Sequence, residues 1–258
     1  MSLPTIGIIG CGFVGHATAR CWMEHGEVKI YDVQPERATH SLAEASACDY
    51  VFVCLPTPQD CDPSIIEDYF GSAPLRKETT YIIKSTVPVG TTERLARQYN
   101  VPICHCPEFL TARCAVTDAQ CPARVLVGLA GNYRWSIEKV VDLHRQRFPG
   151  VQVFLMQSGE TELIKLAGNS FFALKVWYFN ELYGACERHG FNWESVRHGL
   201  LSDGRIAHAH TLVPGPDGKR SFGGNCLPKD TLALSRELDG GDVLRSVLRR
   251  NTEMRGAE

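Results

Sequence analysis

The sequence predicts an α/β fold: a doubly wound parallel sheet over residues 1–157, then a helical domain with a long central helix over residues 158–258. Three observations carry that reading. Short apolar runs bounded by Gly and Pro recur through the first part, with helical patterns between most of them. A glycine-rich turn joins the first run to the first helix. From Ser158 onward the strand signal gives way to one long stretch of near-helical period.

Thr5–Gly10 (T-I-G-I-I-G) reads as a strand running into Gly10-Cys11-Gly12-Phe13-Val14-Gly15. A helix follows to about Glu24, and His25-Gly26 stops it. Glu27–Tyr31 is a second strand with Asp32 at its end. Strand, G-x-G-x-x-G, helix, strand and acid, in that order and spacing, form a dinucleotide-binding unit of the Rossmann type. Gly10 makes the tight turn, Gly12 lets a pyrophosphate approach the backbone, and Gly15 lets the helix pack on the strand. Asp32 suits an adenosine ribose and repels a 2′-phosphate, which favours NAD over NADP; Arg37 lies close enough to blur that choice.

Further strands are expected at Tyr50–Leu55, Thr80–Lys84, Val101–Cys106, Arg124–Leu129 and Val151–Leu155, with helices at Thr91–Tyr99 and Tyr133–Arg147. Ligands of such sheets bind beyond the carboxyl ends of the strands. Thr57, Thr86 and Glu108, which follow strands, are therefore site candidates, with ordinary turn chemistry as the competing reading, strongest for Thr57 between two prolines.

Gly159–Arg188 reads as one helix with a polar start at Ser158, Glu160 and Glu162. Lys165 and Asn169 are four apart on it and share a face. A cation and an amide donor so placed suit a developing oxyanion, and a solvated helix face is the alternative. Trp193–Leu201 is a second helix, and Asp203–Ser221 is a Gly/Pro/His-rich loop. Leu244–Arg250 is a last helix, after which the tail frays. Between these lies S-F-G-G-N-C-L-P-K-D, Ser221 to Asp230. Its glycines allow a tight turn, and Leu227-Pro228 opens a helix. Cys226 at that helix N-terminus is placed for a lowered thiol pKa, Asp230 lies one turn on, and Lys229 adds positive charge. A buried, inert cysteine after an ordinary turn is the alternative.

Composition narrows the classes. The formal charge of -2 over 258 residues implies no general attraction to nucleic acid or to an anionic membrane. The N-terminus lacks the basic and apolar regions of a signal peptide, and the apolar run Phe171–Phe179 is too short to span a bilayer. Eleven cysteines, an odd number with no C-x-x-C, point to reduced thiols in a cytoplasm. The cluster Cys104, His105, Cys106, Cys114 and Cys121 fits no common zinc spacing, so no metal is expected.

Several motifs together resemble the UDP-glucose/GDP-mannose dehydrogenase family: G-C-G-F-V-G at Gly10, V-C-L-P-T-P at Val53, K-S-T-V-P-V-G-T-T at Lys84, C-P-E-F-L at Cys106, E-L-I-K-L-A-G-N-S at Glu162 and F-G-G-N-C-L-P-K-D at Phe222. They keep the family's order and cover nearly the whole chain. The resemblance implies a four-electron oxidation of a nucleotide-sugar primary alcohol to a carboxylate with two NAD per turnover. Cys226 matches the nucleophile that holds the aldehyde, and Lys165 and Asn169 match the oxyanion pair that also meets substrate. Asp230 matches the acid that handles protons through water, Glu108 the glutamate of thioester hydrolysis, and Thr86 the threonine that places cofactor and water. Phe13, Val14, Asp32, Arg37, Thr57 and Lys229 match NAD contacts; Glu108, Phe109, Leu110 and Gly223 match substrate contacts; Arg205 matches the arginine that reaches a neighbouring subunit's substrate. A homodimer through the long helix is implied as well.

Three departures stand out. The family continues into another α/β domain that binds the nucleotide, whereas this chain stops soon after the Cys226 helix, as a short member lacking that domain would. The second glutamate of the family's P-E-F-L-x-E-G is Ala112. The loop before F-G-G carries P-G-P-D-G-K-R and is longer than usual. The expectation is an NAD-dependent alcohol-to-acid dehydrogenase, with a partner chain as one possible source of the missing domain. The alternatives are a two-electron hydroxyacid-type dehydrogenase using Lys165 and Asn169, or a non-catalytic NAD-binding subunit.

Overall fold

The computed structural model describes residues 3–111 and 113–256. They divide after Lys165 into two compact units. The expected boundary near residue 157 marks the end of the last strand, whereas the first turns of the following helix remain with the sheet.

The first unit is a seven-stranded sheet of β1 (Thr5–Ile9), β2 (Glu27–Tyr31), β3 (Tyr50–Val53), β4 (Thr80–Ile83), β5 (Ile103–His105), β6 (Val125–Leu129) and β7 (Val153–Gln157) in the order β2-β1-β3-β4-β5-β6-β7. Side chains alternate along each strand, and both faces are covered. Ile6, Ile8, Phe52 and Ile82 enter one core, with Trp22 of α1 (Phe13–Trp22) and Ile137, Val140 and Val141 of α6 (Arg134–Arg147). Ile9, Val51, Val53, Tyr81 and Ile83 enter the other, with Ile66 and Phe70 of α3 (Ser64–Ser72) and Leu95 of α4 (Thr91–Tyr99). Burial on both faces is why these strands read as continuous apolar runs; each such side chain contributes about 1.5–3 kcal/mol.

The sheet is parallel as expected except at one pair: β5 and β6 run antiparallel, Cys104 opposite Leu129 and His105 opposite Gly128. Among the described residues the connection between them holds only α5 (Ala115–Gln120), which packs on α1 through a Cys21 thiol bond to the Ala119 carbonyl of 3.2 Å. It does not carry the chain back to the far end of the sheet, as a parallel crossover must. The strands also stop early, so Leu55, Lys84 and Cys106 stand in the loops beyond β3, β4 and β5.

The second unit is helical: α7 (Ser158–His189) runs into it from the first, followed by α8 (Trp193–Leu201), α9 (Leu227–Glu237) and α10 (Asp242–Gly256). Phe179, Cys186, Trp193, Leu201 and Val213 form one small core, and Ala173, Phe222 and Val247 another. The fraying expected after Arg250 is corrected, because α10 continues to Gly256. Two polar anchors hold its last turns. The Asn251 amide oxygen accepts from the Ser221 hydroxyl at 2.6 Å and the Phe222 N–H at 3.0 Å. The Arg255 guanidinium donates to the Arg220 and Ser221 carbonyls at 3.2 and 3.3 Å and pairs with Asp217 at 2.5 Å.

Candidate active site

The dinucleotide fingerprint has the geometry its residues require. Gly10 has φ +86°, and a Cβ there would lie 2.9 Å from the Cys54 carbonyl oxygen; a Cβ on Gly15 would lie 1.8 Å from the Gly10 carbonyl oxygen. Gly12 caps α1 and opens on free space, leaving the helix N-terminus accessible to an anion. Asp32 stands at the end of β2 and accepts from the Cys11 N–H at 2.6 Å and the Gln34 N–H at 2.8 Å, which fixes the carboxylate beside the turn with lone pairs to spare. Phe13 is exposed at the same turn, Val14 is half-buried, and Arg37 is exposed in a 3-10 turn after β2. This open N-terminus, flanked by a fixed acid, fits NAD. Gly10, Gly12, Phe13, Val14, Gly15, Asp32 and Arg37 are the residues that would hold it.

The loops beyond β3, β4 and β5 bring the next candidates together within the first unit. The Thr57 hydroxyl donates to the Thr86 carbonyl at 2.8 Å, and both residues are buried. Lys165, on the second turn of α7, donates to the Glu108 carboxylate and to the Glu108 carbonyl, each at 2.8 Å. The carboxylate also accepts from the Leu110 N–H at 2.6 Å. The two side chains are 6% and 13% exposed, so this is a desolvated ion pair held by further hydrogen bonds. Phe109 lies against it, with Lys165 Nζ 5.5 Å and Arg124 4.2 Å from the ring centroid. Ala112 lies outside the described residues.

In the second unit Cys226 is the N-cap of α9, exposed, with Pro228 in the first turn. Asp230, one turn on, is fully buried; it accepts from the Asn169 amide at 2.5 Å and pairs with Lys229 at 2.6 Å. A buried carboxylate with a cation and an amide around it is held in one orientation. Gly223 lies beneath the Arg255 guanidinium, 2.6 Å from where a Cβ would stand. Arg205 is exposed and paired with Asp203, on the edge of a cleft of about 400 Å³ lined by Phe171, Lys175 and Tyr178.

Two groups were given no role in the motif reading. Asn251 and Arg255, in the supposed tail, anchor the loop before Cys226. Cys106 is buried 3.8 Å from Lys84 Nζ and 3.9 Å from His144 Nε2. The His144 Nδ1–H donates to the Val140 carbonyl at 2.8 Å, which leaves Nε2 facing the thiol. Burial would push this thiol up, yet Lys84 and His144 bring it from 9.0 down to about 7. Its neighbour Cys54, buried with less compensation, is pushed up to about 12. Among the described residues no group of three or more His, Cys, Asp and Glu side chains could hold a metal, and no helix is long and apolar enough to cross a membrane.

Residues 36–147 match the NAD binding domain of the UDP-glucose/GDP-mannose dehydrogenase family, and residues 159–254 match that family's central domain. The chain belongs to the UDP-glucose/GDP-mannose dehydrogenase family. It is similar to the UDP-glucose 6-dehydrogenase of Rhizobium meliloti (strain 1021), at 34% identity over 77% of this chain and 48% of that protein. It is also similar to the UDP-glucose 6-dehydrogenase of Pseudomonas aeruginosa, at 33% identity over 96% of this chain and 65% of that protein. The chain thus spans about half to two thirds of the length of these relatives. Among solved structures, a UDP-glucose dehydrogenase from Pyrobaculum islandicum superposes with a TM-score of 0.83 at 26% identity, over 97% of this chain and 68% of that one. A Mycobacterium tuberculosis 3-hydroxyisobutyrate dehydrogenase shares the fold, with a TM-score of 0.76 at 16% identity, over 97% of this chain and 94% of that one. The glycine turn lies ahead of the matched NAD-domain residues, and there the geometry of Gly10 and Gly15 extends the assignment.

Proposed function

We propose that this chain carries an NAD-dependent dehydrogenase that oxidises the primary alcohol of a nucleotide sugar, of the UDP-glucose kind, to a carboxylate in the cytoplasm. The observation that carries the reading is Cys226: an exposed thiol at the N-terminus of α9, followed one turn later by the buried, paired carboxylate of Asp230. A thiol that can hold an aldehyde covalently is what separates an alcohol-to-acid dehydrogenase from one that stops at the carbonyl.

NAD, when bound, supplies the hydride acceptor for both oxidations. The Cys226 sulfur adds to the aldehyde carbon, and Lys165 and Asn169 donate to the oxygen that gains charge. The acyl group of the second oxidation stays on the sulfur as a thioester, which water cleaves. Glu108, ion-paired with Lys165, acts in that hydrolysis; Asp230 passes protons through water; Thr57, Thr86 and Lys229 place the cofactor. Phe109, Leu110, Gly223 and Arg205 contact the substrate.

A homodimer through α7 belongs to the same proposal. Phe171 and Tyr178, 62% and 56% exposed on that helix, support it. A further chain or segment would supply recognition of the nucleotide. The test is stoichiometry: purified protein, NAD and a panel of UDP-, GDP- and dTDP-sugars, with NADH and acid both quantified. Two NADH per acid is the expected result. One NADH per oxidised substrate would replace the proposal by the two-electron hydroxyacid-type reading, and NAD binding without turnover on any sugar would favour a non-catalytic subunit.

A further inference from the structure

Glu162 is fully buried on the second turn of α7, three residues before Lys165. A carboxylate in that position must find donors, and three come from the loop beyond β4. The Gly90 N–H donates to Oε2 at 2.6 Å; the Thr92 N–H and hydroxyl donate to Oε1 at 2.8 and 2.5 Å. Gly90 is the N-cap of α4, so Glu162 caps one helix from another, its charge lying at the positive end of the α4 dipole. The segment it grips, Pro88–Thr92, continues the loop that holds Thr86.

Lys165 does the equivalent for the neighbouring loop, binding Glu108 beyond β5. Residues three apart on a helix share a face. The start of α7 therefore presents two buried charges of opposite sign side by side. The anion fixes the loop beyond β4, and the cation fixes the loop beyond β5. A third tie lies between them: the Thr161 hydroxyl meets His105 Nδ1 at 2.8 Å, at the end of β5. Each oxygen of Glu162 has its own donors, so the contact sets an orientation as well as a distance.

We infer that Glu162 is a positioning residue that sets the Thr86 loop in register with Lys165 and Glu108. It touches neither reacting atoms nor cofactor and acts through the Gly90–Thr92 segment. The effect on turnover rests on the dehydrogenase reading above; the effect on Lys165 does not.

The test uses the full chain with Glu162→Gln and Thr92→Val, each at a temperature where circular dichroism shows it folded. Glutamine keeps the size but turns an NH2 toward backbone N–H groups that need an acceptor. Valine removes only the hydroxyl donor and serves should the glutamine variant not fold. Trace acetylation of Lys165 with acetic anhydride, read by peptide mass spectrometry against Lys29 as internal control, measures whether its surroundings have loosened. We expect acetylation of Lys165 to rise tenfold or more in Glu162→Gln, less in Thr92→Val, and to return to the wild-type rate in Thr92→Ser. On a nucleotide sugar, kcat should fall on the order of a hundredfold, as for displaced catalytic groups, and the KM for NAD should rise because the displaced loop carries Thr86. Faster amide exchange at Gly90–Thr92 with unchanged Lys165 acetylation would overturn the inference, since Glu162 would then be a helix cap and nothing more. A wild-type chain inert on every sugar would overturn the dehydrogenase reading instead and leave the acetylation result to decide this one.

Discussion

His105 should make this protein acid-sensitive well above the range of its carboxylates. The residue ends β5, is fully buried, and meets the Thr161 hydroxyl at 2.8 Å and the Ser85 carbonyl at 3.3 Å. The carbonyl can only accept, so Nε2 carries the proton; the Thr161 hydroxyl beside Nδ1 also reaches the Ser158 carbonyl at 2.8 Å. Burial lowers its pKa from 6.5 to about 3, with Lys84 and Lys165 adding to the effect. The folded pKa lies below the unfolded one, so the native state binds fewer protons between these values. The contribution is complete above pH 6.5 and is lost as pH falls from there toward 3. At pH 5 the unfolded histidine is about 1.5 units below its pKa, which costs the native state about 2 kcal/mol. The assay is urea unfolding at pH 7 and pH 5 of the wild type and His105→Asn. The wild type should lose about 2 kcal/mol more than the variant over that interval. Parallel losses in the two proteins, within about 0.5 kcal/mol, would refute the reasoning, because the ring would then be protonating in the folded state.

Other consequences can be checked singly. Gly15→Ala places a methyl 1.8 Å from the Gly10 carbonyl oxygen, so NAD affinity by calorimetry should fall at least about tenfold, with a stability loss of about 1–3 kcal/mol. Glu108→Gln leaves the Lys165 ammonium 6% exposed without its counter-charge; urea unfolding at pH 7 should show a loss of about 3 kcal/mol, and turnover should fall with it. Cys106 has a folded pKa of about 7 against an ordinary 9.0, so its contribution is complete above pH 9.0 and is lost as pH falls through about 7. Between those values, stability should rise with pH by up to about 1.4 kcal/mol per unit, and Cys106→Ser should flatten that slope.

Much of this architecture was legible because its signals are local. The strand–glycine–helix order around Gly10 and the acid at Asp32 depend on residues close in sequence, and the apolar runs announce a sheet covered on both faces. The reversal of β6 was not legible, since Val125–Leu129 reads the same in either direction and the outcome depends on how α5 packs against α1. The end of α10 was missed for a similar reason. Its stability comes from Asn251 and Arg255 binding a loop some thirty residues earlier, which no periodicity within the tail reveals. Of the candidate site, Lys165 and Asn169 share a face by spacing alone, but their partners, Glu108 and Asp230, lie 57 and 61 residues away. Glu162 shows the limit most clearly. Its position in E-L-I-K suits an exposed helix start, and only tertiary placement buries it against Gly90 and Thr92.

The central claim is that Cys226 holds the substrate covalently, and intact-protein mass spectrometry tests it most directly. Wild type and Cys226→Ser would be incubated with NAD and the nucleotide-sugar panel, quenched in acid, and weighed. The account predicts a hydroxylamine-sensitive adduct of the sugar acyl mass on the wild type, mapped to Cys226 and absent from the serine variant. Acid production with no adduct on the wild type, at an undiminished rate in Cys226→Ser, would contradict it.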